Sequence, residues 1–271
     1  MVPPAASSPF DAIAERYDET FTSSTVGQAQ RAAVWRELKK TFREGDRVLD
    51  IGCGTGVDAC FLADHGVDVV ACDSSARMLS VAERRIASLA QRARGSVQLR
   101  QVPAERIATL RKDMPFDGAF SNFGAVNCLE AIPQLARDLA VLLKPGASLS
   151  LCLLGPFCLW EIAWYLLRGK RGKAFRRIHR GGVEARLGDG AIVHVRYPRV
   201  RAMKRMFAPE FRLRAITGVG VMVPPSYLEA WASGFPRAIK LGVHADLLLS
   251  HCPGVRMLAD HVVLKFERTT S

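Results

Sequence analysis

The chain has little that would mark a metal centre or a disulfide framework. It has seven cysteines: Cys53, Cys60, Cys72, Cys128, Cys152, Cys158 and Cys252. No two form a C-x-x-C pair, and no Cys/His spacing matches a zinc site. The expectation is reduced thiols and no bound metal. Cys60, Cys72 and Cys152 lie in apolar segments, where a thiol behaves as a small buried hydrophobe. No apolar stretch reaches the roughly 20 residues a membrane helix needs. The first residues lack the basic start and apolar run of a secretory signal, so the expected location is the cytoplasm. There is no internal repeat. Residues 1–9, rich in Pro, Ala and Ser, read as a loose end.

What is present is enough for one α/β domain with an elaboration, or for two small domains: 271 residues, 49% hydrophobic and 24% charged. The net charge of +12 points to anionic partners without choosing among nucleic acid, a phosphorylated substrate and an acidic membrane. Residues 10–42 read as helices. Strands then alternate with helices: strands at 47–51, 67–72, 97–102, 116–121 and 147–154, helices at 57–65, 75–94 and 132–143. Such alternation implies βαβ units in a parallel sheet. Runs such as Val67-Asp68-Val69-Val70-Ala71-Cys72 suit strands covered on both faces. Beyond Leu154 the regularity breaks. A strand is expected at 191–196, a helix at 200–207, and strands at 211–219 and 261–266.

The segment Val48-Leu49-Asp50-Ile51-Gly52-Cys53-Gly54-Thr55-Gly56 carries the chemistry. Its glycines allow a tight strand-to-helix turn and close backbone approach to a ligand. The helix that follows would aim N–H groups at an anionic group. Asp73 ends the next strand, where a carboxylate suits ribose hydroxyls. The spacing is G-x-G-x-G. A nicotinamide site would prefer G-x-G-x-x-G, with glycine where Val57 stands.

Here the sequence resembles the class I S-adenosylmethionine-dependent methyltransferases, especially the small-molecule branch that includes the ubiquinone and menaquinone methyltransferases. The matching pieces, in order, are Tyr17-Asp18, Val48 to Gly56, Asp73-Ser74-Ser75-Ala76-Arg77-Met78-Leu79, Phe116-Asp117-Gly118-Ala119-Phe120 and Leu142-Leu143-Lys144-Pro145-Gly146. The resemblance implies a doubly wound, Rossmann-like sheet of seven strands, mostly parallel, with the last antiparallel and a lid inserted after the fifth. It implies S-adenosylmethionine as cofactor. Gly52, Cys53 and Gly54 would surround its methionine part, with Asp50 and Gly56 completing the turn. Asp73 would bind ribose, and Ser74 and Met78 would flank the adenosine. Tyr17 would reach the methionine end, and Asn122 would face the sulfonium. Core packing for Met78 and Tyr17, and a turn cap for Asn122, are the structural alternatives. Many relatives carry an acidic residue after the third strand. This chain has Pro103 there, which leaves the backbone of Ala104, or Glu105, to meet adenine.

The divisions expected are cap helices over 1–45, a cofactor-binding core over 46–154, an inserted lid over 155–198, and completion of the sheet over 199–271. The insertion holds Trp160, Trp164 and Tyr165, then Arg168, Lys170, Arg171, Lys173, Arg176, Arg177 and Arg180 with no acid among them. Three readings stand: contact with an anionic membrane, a lid for an anionic acceptor, or a solvated basic face. Gly220 to Pro225 and Trp231 would complete an acceptor site. His179 and His194 are base candidates by position, against a structural role. No [DN]-P-P-[YF] motif follows the fourth strand, which argues against nucleic acid. The leading expectation is methyl transfer to a small lipophilic or aromatic acceptor by a monomer or homodimer. An RNA methyltransferase and a non-catalytic cofactor-binding protein are the alternatives.

Overall fold

The computed structural model describes residues 8–89, 93–179, 181–188 and 190–270. The expected loose end before Ser8, the tail of the helix expected over 75–94 and Arg180 of the basic run lie wholly or partly outside them.

Period-two alternation in strands buried on both faces builds the centre. In β1 (Arg47–Ile51), Leu49 and Ile51 enter one apolar layer while Val48 enters the other. In β2 (Asp68–Asp73), Val70 and Cys72 oppose Val69 and Ala71 in the same way. Helices cover both layers. Leu135 and Leu139 of the helix Ile132–Leu142 close the first, and Val34 and Leu38 of the helix Thr25–Thr41 close the second. This is the two-sided burial that makes strands of a parallel sheet read as continuous apolar runs.

With β3 (Val97–Gln101), β4 (Phe116–Ser121) and β5 (Leu143–Leu154), the parallel part is complete. The hairpin β6 (Val183–Leu187) and β7 (Ala191–Val195) forms a separate two-stranded sheet. Strands β8 (Phe211–Val219) and β9 (His261–Arg268) return to the main sheet, and β9 pairs antiparallel with both β5 and β8. The order is β3-β2-β1-β4-β5-β9-β8. This is the doubly wound, seven-stranded sheet expected. The strand order reverses between β1 and β4, and ligands in such sheets bind outside the strand C-termini at that switch point.

Elements differ from expectation at three places, one of them the unanticipated helix Pro236–Leu249. The chain leaves the helix after Leu142 and enters β5 at once, and a register shift between Phe116 and Gly118 accommodates the Pro145-Gly146 segment. The insertion holds a full hairpin rather than one strand.

Candidate functional site

The glycine turn after β1 is held from below. Gly52 and Cys53 donate N–H bonds to the Cys72 carbonyl at 2.8 and 3.0 Å, and Gly54 donates to Asp73 Oδ2 at 2.9 Å. Three turn N–H groups are thus spent within the protein. They shape the turn, and the N–H groups expected to face an anion are those of the helix that follows. Gly56 departs from expectation. It caps the helix Val57–Asp64 with φ +74°, and a Cβ there would fall 2.9 Å from the Ala82 Cβ. It allows two helices to approach and does not line the cavity.

A cavity of about 410 Å³ opens at the switch point, within the size range of small-molecule sites. Its polar end gathers Tyr17, Gly52, Gly54, Asp73, Ser74, Met78, Ala104, Glu105 and Asn122. Asp73 Oδ1 accepts from the Ser75 N–H and Oδ2 from Gly54, both at 2.9 Å. Each carboxylate oxygen keeps acceptor capacity for a ligand hydroxyl. Burial raises the Asp73 pKa, and the Ser75 and Gly54 N–H bonds oppose the rise. Asp18 explains how Tyr17 reaches the cavity. Its carboxylate accepts from Thr55 Oγ1 at 2.7 Å and pairs with Arg85, so the N-terminal helix is tied to the glycine turn. Burial pushes the Tyr17 phenol up to about 12.

A smaller polar compartment of about 40 Å³ adjoins, sharing Tyr17, Gly52, Gly54, Asn122 and Phe123 with the main cavity and adding Asp50, Cys53, Arg31 and Asp58. Arg31 pairs with Asp58 at 2.5 Å, and Asn122 Nδ2 donates to Asp58 Oδ2 at 2.9 Å. Three buried polar atoms around this compartment have no partner among the described residues: Asp50 Oδ2, Asn122 Oδ1 and Arg31 Nε. Buried polar atoms are rarely left so. Burial, followed by the charges of Asp58 and Asp73, holds the Asp50 carboxyl well above its ordinary range. Phe123 takes a left-handed φ of 51°, uncommon for a large side chain. Its ring lies 4.7 Å from the Arg31 guanidinium and 5.0 Å from the Phe21 ring.

Arg31, Asp58 and Phe123 were absent from the sequence expectations. A signal existed: Gln30 and Arg31 interrupt the buried face Val26, Val34, Leu38 of one helix, and an arginine there needs a buried partner.

The other end of the cavity is apolar. Leu129 and Leu154 form one wall, and Ala185, Leu187, Val193 and Val195 of the hairpin form the other. Cys128 lies between, with burial raising its thiol to about 11. Alternation decides what the hairpin presents. Glu184, Arg186, Ile192 and His194 are exposed while their neighbours face inward. His194 therefore points away from the cavity and meets the Gly181 carbonyl at 2.5 Å. His179 is also exposed and outside the lining. The expected role of both as catalytic bases is corrected: neither faces the site. Trp160, Trp164, Trp231 and Gly220 to Pro225 also lie outside the lining. Ser8, Pro9 and Phe10 also line the cavity. Asp11 Oδ1 accepts from Ser75 Oγ at 2.6 Å and fastens that segment down.

The donor set could take further hydrogen bonds: Arg31 Nε can donate, and Asp50 Oδ2, Asn122 Oδ1 and the Asp73 carboxylate can accept. Residues 48–146 match the methyltransferase domain family. With this sheet order, the chain has the fold of the class I S-adenosylmethionine-dependent methyltransferases. It is similar to the demethylmenaquinone methyltransferase of Clavibacter sepedonicus, 35% identical over 152 residues, covering 55% of this chain and 58% of that protein. A tRNA 5-carboxymethoxyuridine methyltransferase of Escherichia coli (strain K12) is 33% identical over 147 residues, covering 52% and 54%. The chain spans just over half the length of the curated relatives it matches. Among solved structures, the mycolic acid cyclopropane synthase CmaA1 complexed with SAH and CTAB superimposes with TM-score 0.63 at 16% identity, over 96% of each chain.

Proposed function

We propose that the protein transfers a methyl group from S-adenosylmethionine to a small, lipophilic, aromatic acceptor of the quinone type, releasing S-adenosylhomocysteine. One observation carries this reading: a cavity lined partly by aliphatic side chains adjoins, through shared lining residues, a polar compartment with unpartnered buried atoms. The cofactor brings an already activated methyl on a sulfonium. The chain's own residues hold and orient. Asp73 takes the ribose, and Arg31, Asp50 and Asn122 take the amino-acid group. Tyr17, Gly52, Cys53 and Gly54 enclose the methionine portion, while Ser74, Met78, Ala104 and Glu105 flank the adenine side. Gly56 supports the turn. The hairpin excludes water, and catalysis is mainly alignment.

The apolar end offers no ready base. Of its side chains only Cys128 titrates, and it stays a thiol at neutral pH. The acceptor atom is then an electron-rich carbon, or an oxygen that ionises before it binds. Acceptor choice belongs to the insertion over 155–198, with the core over 46–154 serving the cofactor and 1–45 and 199–271 completing the fold. We place the protein in the cytoplasm as a monomer or homodimer, visiting a membrane where a lipophilic acceptor resides. Among the described residues no helix is long and apolar enough to cross one.

An RNA acceptor is the second reading, favoured by the net charge of +12 and the tRNA-modifying relative. The aliphatic hairpin wall speaks against it, because base recognition relies on stacking aromatics and hydrogen-bonding edges. Labelled methyl transfer from S-adenosylmethionine to reduced demethylmenaquinone, and to unmodified tRNA, separates the two. Label in the quinol and none in tRNA is expected. Label in tRNA alone reverses the reading, and cofactor binding with no transfer to either supports a non-catalytic role.

A further inference from the structure

The insertion holds a second chemistry that the cavity does not use. The helix Leu159–Leu166 leaves Leu159 and Leu166 each 42% exposed, and Leu167 just beyond it is 86% exposed. Under these leucines, the Trp160 and Trp164 rings lie 5.4 and 6.4 Å from that of Trp231, which in turn lies 5.2 Å from Phe235. Trp160 Nε1 donates to the Met222 carbonyl at 3.0 Å. Met222 and Phe235, themselves exposed, extend the same apolar face. Single exposed leucines are ordinary, whereas a contiguous apolar face marks an interaction site.

Cations border this face. Arg168, Lys170, Arg171 and Lys173 are exposed, and none enters an ion pair among the described residues. Some surface cations elsewhere are matched, as in Arg84 with Glu15, Lys144 with Asp117 and Arg214 with Glu267; what distinguishes these four is that they sit together beside an exposed apolar helix. The segment is also anchored. Arg176 forks onto the buried Glu161 at 2.7 and 3.0 Å, and Arg177 bridges Glu161 to Asp260. Two members of the basic run are thus internal ties, and the remaining charge is held beside the helix.

We propose that this face docks on the surface of an anionic lipid bilayer, with the leucines and tryptophans at the headgroup boundary and Arg168 to Lys173 against lipid phosphates. Tryptophan suits that boundary, being apolar with one polar N–H. Basic residues beside an amphipathic helix are drawn to anionic leaflets. A second copy fits less well, since a two-fold contact would place two sets of unpaired cations together. The inference deepens the reading of a lipophilic acceptor, yet its test needs no methyl transfer.

The full chain is mixed with phosphatidylcholine vesicles, with or without phosphatidylglycerol, at low and high salt. Acyl chains brominated near the headgroup report tryptophan depth, and Trp35, stacked on Phe61, is the one tryptophan outside the face. Expected are co-sedimentation with anionic vesicles only, loss in high salt, and quenching by the brominated chains. Replacing Arg168, Lys170, Arg171 and Lys173 by Gln should weaken binding at least about tenfold. Leu166→Asn with Leu167→Asn should reduce quenching. S-adenosylhomocysteine affinity should stay constant in both variants and serves as the folding control. Absence of binding at low salt, equal binding to neutral vesicles, or undiminished binding by both variants overturns the proposal. A dimer in solution that the leucine variant dissociates, without vesicle binding, assigns the face to a second copy. Loss of S-adenosylhomocysteine binding by the unaltered chain, with vesicle binding intact, counts against the cavity reading alone.

Discussion

At the scale of single residues, the polar compartment beside the cavity contains buried atoms without partners among the described residues, and these cost stability. Asp50 is buried with an unpartnered oxygen, and burial followed by the charges of Asp58 and Asp73 raises its pKa. A carboxyl whose folded pKa lies above its unfolded value opposes folding when ionised, so its cost appears as pH rises past about 4. Asp50→Asn should therefore raise the melting temperature in neutral buffer and weaken S-adenosylmethionine binding. Scanning calorimetry and titration calorimetry read the two effects, and a variant both less stable and tighter-binding contradicts the assignment. Asp73→Ala removes charge-assisted bonds to ribose and should cost about 1.5–3 kcal/mol of cofactor affinity. Unchanged affinity in a folded variant would remove Asp73 from the site.

At the scale of elements, the hairpin β6–β7 lines the cavity, and on the proposed function it would shape the acceptor end. Ala185 pairs directly with Val193, and both face the cavity. Its small side chain leaves room that a larger one would fill. Ala185→Trp should leave cofactor affinity within about twofold, as expected when distant sites do not couple, while transfer to a quinol falls at least tenfold (about 1.4 kcal/mol). His179→Ala and His194→Ala should transfer normally, since both rings lie outside the lining. Loss of transfer in the histidine variants, with Ala185→Trp active, would move the acceptor site elsewhere.

The same element shows what was legible. The glycine turn and Asp73 could be read because their logic is local: strand, glycines, helix, then a carboxylate at the next strand end. His194 was misplaced because nearness in sequence to an insertion says nothing about direction. Only the pairing of Glu184 with His194 on the outer face reveals it. The helix Pro236–Leu249 was not anticipated at all. Its exposed Leu241, Leu247 and Leu248 blur the periodicity that its buried Ile239 and Gly242 would otherwise set. Arg31 lies 27 residues before Asp58, and no short-range pattern joins them.

At the scale of the whole molecule, one buried ion network ties the insertion to the main sheet. Arg177 donates to Asp260 Oδ1 at 2.7 Å and to the Asp260 carbonyl at 3.1 Å, and Gln30 donates to Asp260 Oδ2 at 3.1 Å. Burial opposes ionisation of Asp260, but His261 and Arg177 outweigh it and hold the carboxyl far below its ordinary range. A depressed folded pKa contributes stability that is complete above the unfolded value near 4 and is lost as pH falls below it. The protein should lose stability steeply below about pH 4, and Asp260→Asn should flatten that limb while lowering stability at neutral pH by about 3–5 kcal/mol, because Arg177 stays buried. Urea unfolding across pH measures both. An unchanged acid limb in the variant would mean that other carboxylates govern it.

The cavity has two covers fastened in different places. Ser8 to Phe10 is held at Ser75, whereas the hairpin is held at its base where the Arg196 N–H meets the Asn127 carbonyl at 2.8 Å. They pack on each other, the Pro9–Ile13 turn lying against both strands of the hairpin, and at Gly188 the fit is so close that a Cβ would fall 2.5 Å from the Ile13 Cγ2. Two flaps that overlap along one edge would yield together. A bulkier residue in the overlap, Gly188→Val, should therefore speed release of both products, as stopped-flow would read, and faster release of one alone would mean that the flaps move separately.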